Sequence, residues 1–362
     1  MTRQQNSVPS EITPENIGQY IYERMAENNG NTYESLGKEF GLSGQAARGR
    51  ARRYQNNNNL ATVRYSREVA QINGAMHEEP FERPESLWKR ALEKQERNDQ
   101  RLEWKRQRRI IFEDGPVVLI FMADLHLGSA GTDYRSIDYD MAIINNLAEH
   151  GVNVAVVLLG DMLDNFIVGR LRDLRMNQSP FLTIEEWGLV DYALERLAPF
   201  IVGSVAGNHD NWSWAVSGID LLRQRHNRLT PGILYDPLEL TFMLQVGEFE
   251  CRVMCRHKWR GTSMFNPTHG LEHGHHKLGR QFDIGVAAHT HRGGLAREFA
   301  NGKSIPGHAL ICGSYKKDDS YALANGYPPP LDTSAVAAVI DTDGIAFSTS
   351  RLDVIGRFVS GV

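Results

Sequence analysis

The residues able to do chemistry are concentrated in five short segments: Asp124-Leu125-His126, Gly160-Asp161, Gly207-Asn208-His209-Asp210, His257 and His289-Thr290-His291. Carboxylate, amide and imidazole donors of this kind suit borderline divalent cations such as Mn, Fe, Zn or Co. Each segment stands where an apolar run ends, so a sheet would bring the side chains to one edge. Together they read as a single metal site laid out along the chain. The chemistry within its reach is metal-assisted hydrolysis of a phosphate ester.

The apolar runs before these segments predict the elements that position them. Residues 117–123 are continuously apolar, the pattern of a strand buried on both faces, and they deliver Asp124 and His126. Residues 152–159 follow a predicted helix over 141–149 and deliver Gly160-Asp161. Residues 200–205 follow a predicted helix over 185–197 and deliver the segment from Gly207 to Asp210. Repeated strand, helix, strand implies a parallel core with its site at the strand carboxyl ends. Later runs at 238–246, 249–256, 284–288, 309–313 and 335–340 have fewer helices between them and predict a second, mixed sheet.

The five segments, in this order, resemble the calcineurin-like metallophosphoesterase superfamily. Asp124-Leu125-His126-Leu127-Gly128 and Gly160-Asp161-Met162-Leu163-Asp164 are most similar to its DNA-repair exonuclease branch, and the resemblance spans roughly residues 117–345. It implies an α/β fold in which a two-sheet β-sandwich is flanked by helices. It also implies two divalent ions, Mn foremost, with Fe, Zn, Co or Mg as alternatives. Asp124, His126 and His291 would bind one ion, Asp161 would bridge both, and Asn208, His257 and His289 would complete the other. Water activated between the ions would attack phosphorus, with no protein nucleophile. The resemblance assigns His209 to leaving-group protonation or transition-state stabilisation, a role that suits an imidazole as a proton donor. Asp164 and Asp210 are expected to orient histidines by accepting their second N–H, the alternative being helix capping.

The pattern departs from the family's in two places. Ala288 stands where the family carries glycine, and His257 lies in Arg256-His257-Lys258-Trp259 rather than in a His-Gly pair. His269, His273, His275 and His276 follow closely, and His257 is preferred to them because it directly ends the apolar run 249–255. The Gly- and His-rich stretch around those four reads as a substrate loop or as polar surface.

The N-terminal third has a different texture. Thr13 and Pro14 predict a helix start, with Ile17, Tyr20, Ile21 and Met25 as its apolar face. A second helix over 32–40, a turn at Gly41-Leu42-Ser43 and a third helix from Gly44 follow. The third helix carries Arg48, Arg50, Arg52 and Arg53. This resembles a helix-turn-helix module contacting DNA or RNA, the alternative being a docking bundle with a solvated basic face. An Asn tract at 55–59 ends the unit, so the expected domains are a small all-α domain at 1–60, a charged helical linker at 61–112 and a catalytic domain at 113–362. Residues 84–109 predict a long charged helix whose basic end either contacts phosphates or is solvated. Trp212 and Trp214 after the third segment, and Arg256, Lys258, Arg260 and Arg292 around the late histidines, suit base stacking and phosphate neutralisation. Ser314-Tyr315-Lys316-Lys317-Asp318 is expected to face the substrate.

Composition sets outer bounds. A chain of 362 residues, 41% hydrophobic, can bury a sizeable core and still supply a second small domain. Its three cysteines form no regular framework, which predicts a reducing compartment. Residues 1–10 lack the order of a signal peptide and no apolar run reaches membrane-spanning length, so a cytoplasmic protein without membrane contact is expected. A net charge of −4 argues against general polyanion binding by the whole chain, which leaves local basic helices to do it. The expected activity is a metal-dependent phosphodiesterase acting on nucleic acid, a nuclease, with homo-oligomer formation left open. The alternatives are a phosphomonoesterase or small-molecule phosphodiesterase with a docking N-terminal domain, and a DNA-binding regulator with a vestigial enzyme domain.

Overall fold

The computed structural model describes residues 12–13, 16–27, 31–58, 83–169, 179–261, 263, 265–291, 293–317, 326 and 335–360. The chain divides into two compact units, Met1–Lys89 and Arg90–Val362.

The first unit contains α1 (Ile17–Ala26), α2 (Tyr33–Glu39) and α3 (Gly44–Asn57). Ile17, Ile21, Met25, Leu36, Ala47 and Ala51 are buried together and hold the three helices. Thr32 caps α2 by accepting from the Ser35 N–H at 3.0 Å, and Ser43 caps α3 by accepting from the Ala46 N–H at 3.2 Å. The first helix starts after Asn16 rather than at Thr13, whose carbonyl accepts the Asn16 N–H in a preceding turn. Pro14 lies outside the described residues. A long helix, α4 (Pro84–Arg106), follows.

The remaining elements are, in order, β1 (Arg109–Phe112), β2 (Val117–Met122), α5 (Tyr134–Glu149), β3 (Asn153–Leu158), α6 (Thr183–Leu197), β4 (Ile201–Val205), α7 (Asn208–Ser217), α8 (Leu221–Leu229), β5 (Leu234–Asp236), β6 (Leu240–Val246), β7 (Phe249–Cys255), α9 (His269–Leu278), β8 (Ile284–Ala287), β9 (Leu295–Phe299), β10 (Gly307–Ile311), β11 (Val336–Asp341), β12 (Gly344–Thr349) and α10 (Leu352–Ser360). The charged helix is shorter than expected. Arg109–Phe112 instead forms β1, parallel to β6, because Ile110 and Phe112 alternate onto the core.

The strands make two mixed sheets of six, flanked by helices. One has the order β12-β11-β2-β3-β4-β5, with β2 through β5 parallel and β11 antiparallel to β2. The other has the order β1-β6-β7-β8-β10-β9. A single apolar cluster joins them, with Leu119 and Phe121 of β2 and Val157 of β3 sharing it with Phe242 of β6, Val253 of β7 and Val286 of β8. The opposite face of the first sheet is covered by α5, α6, α8 and α10, through residues such as Met141, Trp187, Leu222 and Ile355. The opposite face of the second sheet is covered by α9, where Leu271 meets Trp259 and Phe282.

All six residues of β2 are fully buried. At about 1.5–3 kcal/mol for each large apolar side chain, this strand anchors the residues that follow it. Among the described residues, no helix is long and apolar enough to cross a membrane.

Candidate metal centre

Three parallel strands, β2, β3 and β4, end on the same side, and the loops after them are stitched together. The Asp124 N–H donates to Gly160 O at 3.0 Å, His126 N–H to Asp161 O at 3.0 Å, and Leu127 N–H to Met162 O at 2.9 Å. Close approach requires glycine here, since a Cβ at Gly160 would lie 2.1 Å from Gly207 N. The second sheet joins through the loops after β7 and β8. Ala288 N–H donates to His257 O at 3.0 Å, and His289 N–H to the Asp124 carboxylate at 2.9 Å.

Six described non-glycine residues have positive φ: Asp124 (51°), His126 (46°), Asp161 (50°), Asn165 (45°), His289 (74°) and His291 (51°). Five of them are residues expected to bind metal. The left-handed region costs a side-chain-bearing residue roughly 1–3 kcal/mol, so a cluster of such residues marks a place where geometry is held for function.

The side chains converge in two groups. Asp124 Oδ1 lies 3.1 Å from His291 Nε2, which lies 3.1 Å from His126 Nε2. His257 Nε2 lies 3.1 Å from Asp161 Oδ2 and 3.2 Å from His289 Nδ1. Within each triad the ligand atoms all fall within 4.8 Å of one another. The triads abut, with Asp124 Oδ1 4.0 Å from His257 Nε2. Asn208, the first residue of α7, has its Oδ1 buried without a hydrogen-bond partner. A buried orphan acceptor and two imidazoles facing each other nitrogen to nitrogen are what a divalent cation would satisfy. The donor set therefore fits divalent metal.

Electrostatics agree with the geometry. Burial alone would push the Asp161 carboxyl up, but His257 and His209 beside it hold it well below the usual range. Asp124, which burial would also push up, is likewise held down by His291 and His257 together. Burial pushes His126 down to about 4, and burial with His257 pushes His289 to about 4. Both rings are therefore neutral, with lone pairs to offer, at neutral pH. Burial also works against protonation of His257 and His291, but Asp161 and Asp124 respectively raise them. Positive charge is what these two carboxylates demand, and a bound cation would supply it while displacing those protons.

Around the triads, ring orientations are fixed. His257 Nδ1 donates to Leu159 O at 2.7 Å, which turns Nε2 inward. Asp164 Oδ1 lies 3.1 Å from His126 Nδ1 and accepts from Lys316 Nζ at 2.8 Å. His209 donates through Nδ1 to the Asp164 carbonyl, its N–H donates to Asp161 Oδ1 at 2.9 Å, and its Nε2 lies 3.9 Å from Asp161 Oδ2. The His209 ring packs against Trp212, centroids 4.1 Å apart, and meets the His126 ring edge-on at 4.6 Å. His209 thus sits beside the triads, in a third group with His126 and Asp164.

Several residues stand elsewhere than expected. Asp210 orients no histidine and takes the capping alternative: as the third residue of α7 its carboxylate accepts the N–H of the cap residue Gly207 at 2.7 Å, and it also accepts the Asp161 and Met162 N–H groups at 2.8 and 3.0 Å, pinning two loops together. Burial, reinforced by Asp161, raises it to about 7. Trp212 supports His209, while Trp214 is exposed. Tyr315 and Lys316 are buried, and Asp318 lies outside the described residues. The stretch from His269 to His276 belongs to helix α9, and none of its histidines enters a triad. Arg48, Arg52 and Arg53 are exposed on α3, Arg50 is half-buried, Arg260 is exposed, and Arg292 lies outside the described residues. Asn165 gave no signal in the sequence, yet its Nδ2 donates to Ser213 Oγ at 2.9 Å and to His209 O.

Compared with models of known protein families the chain matches none, and compared with curated proteins it matches none.

Proposed function

We propose that this protein is a dinuclear-metal phosphoesterase of the calcineurin-like metallophosphoesterase superfamily that hydrolyses phosphodiester bonds in nucleic acid. The abutting triads Asp124-His126-His291 and Asp161-His257-His289 carry the proposal. The first would hold one ion, and the second with Asn208 the other, with Asp161 shared. Two bound divalent ions, Mn foremost, would supply Lewis acidity, lowering the pKa of a water and neutralising the phosphate. Two six-stranded sheets sharing one core accord with that superfamily's sandwich.

The chain's own groups have distinct tasks. Asp161 and Asp124 stay ionised, as ligands must. Asp164 and Leu159 O hold the rings of His126 and His257 in register. His209, with Nδ1 committed to Asp164 O, keeps Nε2 on the Asp161 side, where it would hand a proton to the leaving oxygen. The site also lies at the N-terminus of α7, whose dipole favours a bound phosphate. Arg48, Arg52 and Arg53, exposed on α3, favour a polymer over a small ester.

Hydrolysis of DNA, RNA, a model diester and a model monoester with Mn, beside Asp161→Ala, tests the proposal. Cleavage of nucleic acid by the parent and none by the variant is expected. Robust monoester turnover without cleavage of any nucleic acid would favour the phosphomonoesterase reading and overturn this one.

A further inference from the structure

We infer that Lys316 is a positioning residue for the metal centre: by clamping Asp164, it sets which nitrogen His126 turns toward the cation. The inference rests on the metal-centre reading above but not on the activity assigned to it.

Lys316 lies beyond β10, in a segment tied to the loop after β2. Tyr315 N–H and Ser314 Oγ both donate to Asp124 O, at 3.1 and 3.2 Å, and Lys316 forms an antiparallel bridge with Thr132. Its side chain and that of Asp164 are each 1% exposed. An ammonium at this depth is costly to desolvate, and apolar residues of similar volume in place of the whole Lys316–Asp164 pair would serve stability as well or better. Position is what the ammonium adds.

That position is specific. Lys316 Nζ meets the same Asp164 oxygen that faces His126 Nδ1, at 2.8 and 3.1 Å, while the second oxygen, Oδ2, has no partner. Held on that oxygen, the carboxylate accepts the Nδ1–H of His126 and leaves Nε2 as a lone pair facing His291. Losing the ammonium would free the Asp164 carboxylate to turn away from His126 Nδ1. The Lys316 ammonium also lies 5.0 Å over the Phe166 ring, and that ring packs 5.1 Å from His209. Asp164 in turn accepts His209 Nδ1 through its backbone carbonyl. One buried lysine therefore braces the Asp164 side chain against His126 and lies on the ring that packs against His209.

Outer partners of ligating histidines typically govern metal affinity by 10–100-fold. Mn binding by calorimetry, without substrate, compares the full-length parent with Lys316→Met and Lys316→Gln. Met abolishes the donor, whereas Gln keeps a neutral N–H one atom short and is the better tolerated. The parent should bind two equivalents. Lys316→Met should weaken one of them by about 10–100-fold and leave the other unchanged, with Lys316→Gln between the two. Imidazole 15N shifts should report His126 as the Nδ1–H tautomer in the parent and a tautomer mixture in Lys316→Met. If Lys316→Met does not fold, Lys316→Gln decides on the same criteria. Parental affinity for both equivalents with an unchanged His126 tautomer overturns the inference, as does equal weakening of both. A parent that binds two Mn but hydrolyses no phosphate ester overturns the proposed function and leaves Lys316 to be judged by these criteria.

Discussion

Gly207 stands so close to Asp161 that a Cβ on it would lie 2.0 Å from Asp161 Oδ1 and 2.4 Å from Asp161 N. A side-chain oxygen can swing aside, but a backbone nitrogen cannot. Gly207→Ala is therefore expected to separate the start of α7 from the loop carrying Asp161. Overpacking of this kind costs about 1–3 kcal/mol, measurable by urea unfolding. Calorimetry on the same preparation should show loss of at least one Mn equivalent. Parental unfolding together with two Mn equivalents would mean that the loops yield freely.

Asn208 Oδ1 is buried without a partner, and such an orphan costs about 1–3 kcal/mol. Removing it should not harm the metal-free protein. Asn208→Ala is expected to melt at or above the parent without metal, and to show a smaller rise in Tm on adding Mn, because stabilisation by a ligand grows with the logarithm of its affinity. Lower metal-free stability with an unchanged Mn-induced rise would make Asn208 a structural residue and not a ligand.

The site was legible because its ligands interrupt apolar runs. Six buried residues in β2 are followed, after Ala123, by Asp124, and no packing argument explains a buried carboxylate there. The bonds between loops left no such mark. Asp210 reads like any carboxylate near a histidine, and only the fold shows it accepting three amides from two loops. Lys316 stands in a polar stretch without periodicity, so its burial depends on contacts with residues far away in the chain, Asp164 above all. In α9, four histidines and two glycines hid a helix that Leu271 anchors on Trp259 and Phe282 and that Gly279 ends at φ 64°. β1 was hidden by the charged helix before it, its two inward residues being too few to register as a strand.

Burial pushes the Asp140 carboxyl up to about 6 from its ordinary 3.8, despite the hydrogen bond it accepts from Tyr315 Oη at 2.6 Å. The folded chain thus keeps a proton that the unfolded chain releases between about pH 4 and pH 6. Stability from this group is present below about pH 4 and lost as pH rises through about 6, amounting to about 3 kcal/mol at 1.36 kcal/mol per unit. Asp140→Asn still accepts from Tyr315 without becoming charged. It should exceed the parent in urea stability at about pH 7.5, and the gap should close near pH 4. A parent more stable than the variant at the higher pH would show that Asp140 is held ionised.

The four arginines of α3 are not equivalent. Arg48 lies 5.9 Å over the Tyr33 ring and Arg50 is half-buried, whereas Arg52 and Arg53 are exposed. If α3 contacts nucleic acid, the last two are the best placed to neutralise phosphates. Each phosphate contact contributes about 0.9 to the slope of log affinity against log salt on duplex DNA, and about 0.7 on a single strand. Replacing both Arg52 and Arg53 with alanine should therefore flatten the slope by roughly 1.4–1.8 and weaken binding at low salt, while hydrolysis of a small model diester stays at the parental rate. Fluorescence anisotropy of a labelled oligonucleotide across a salt series measures this. An unchanged slope would turn α3 into a protein-docking face, since a basic surface that releases no counterions on binding is not touching phosphate.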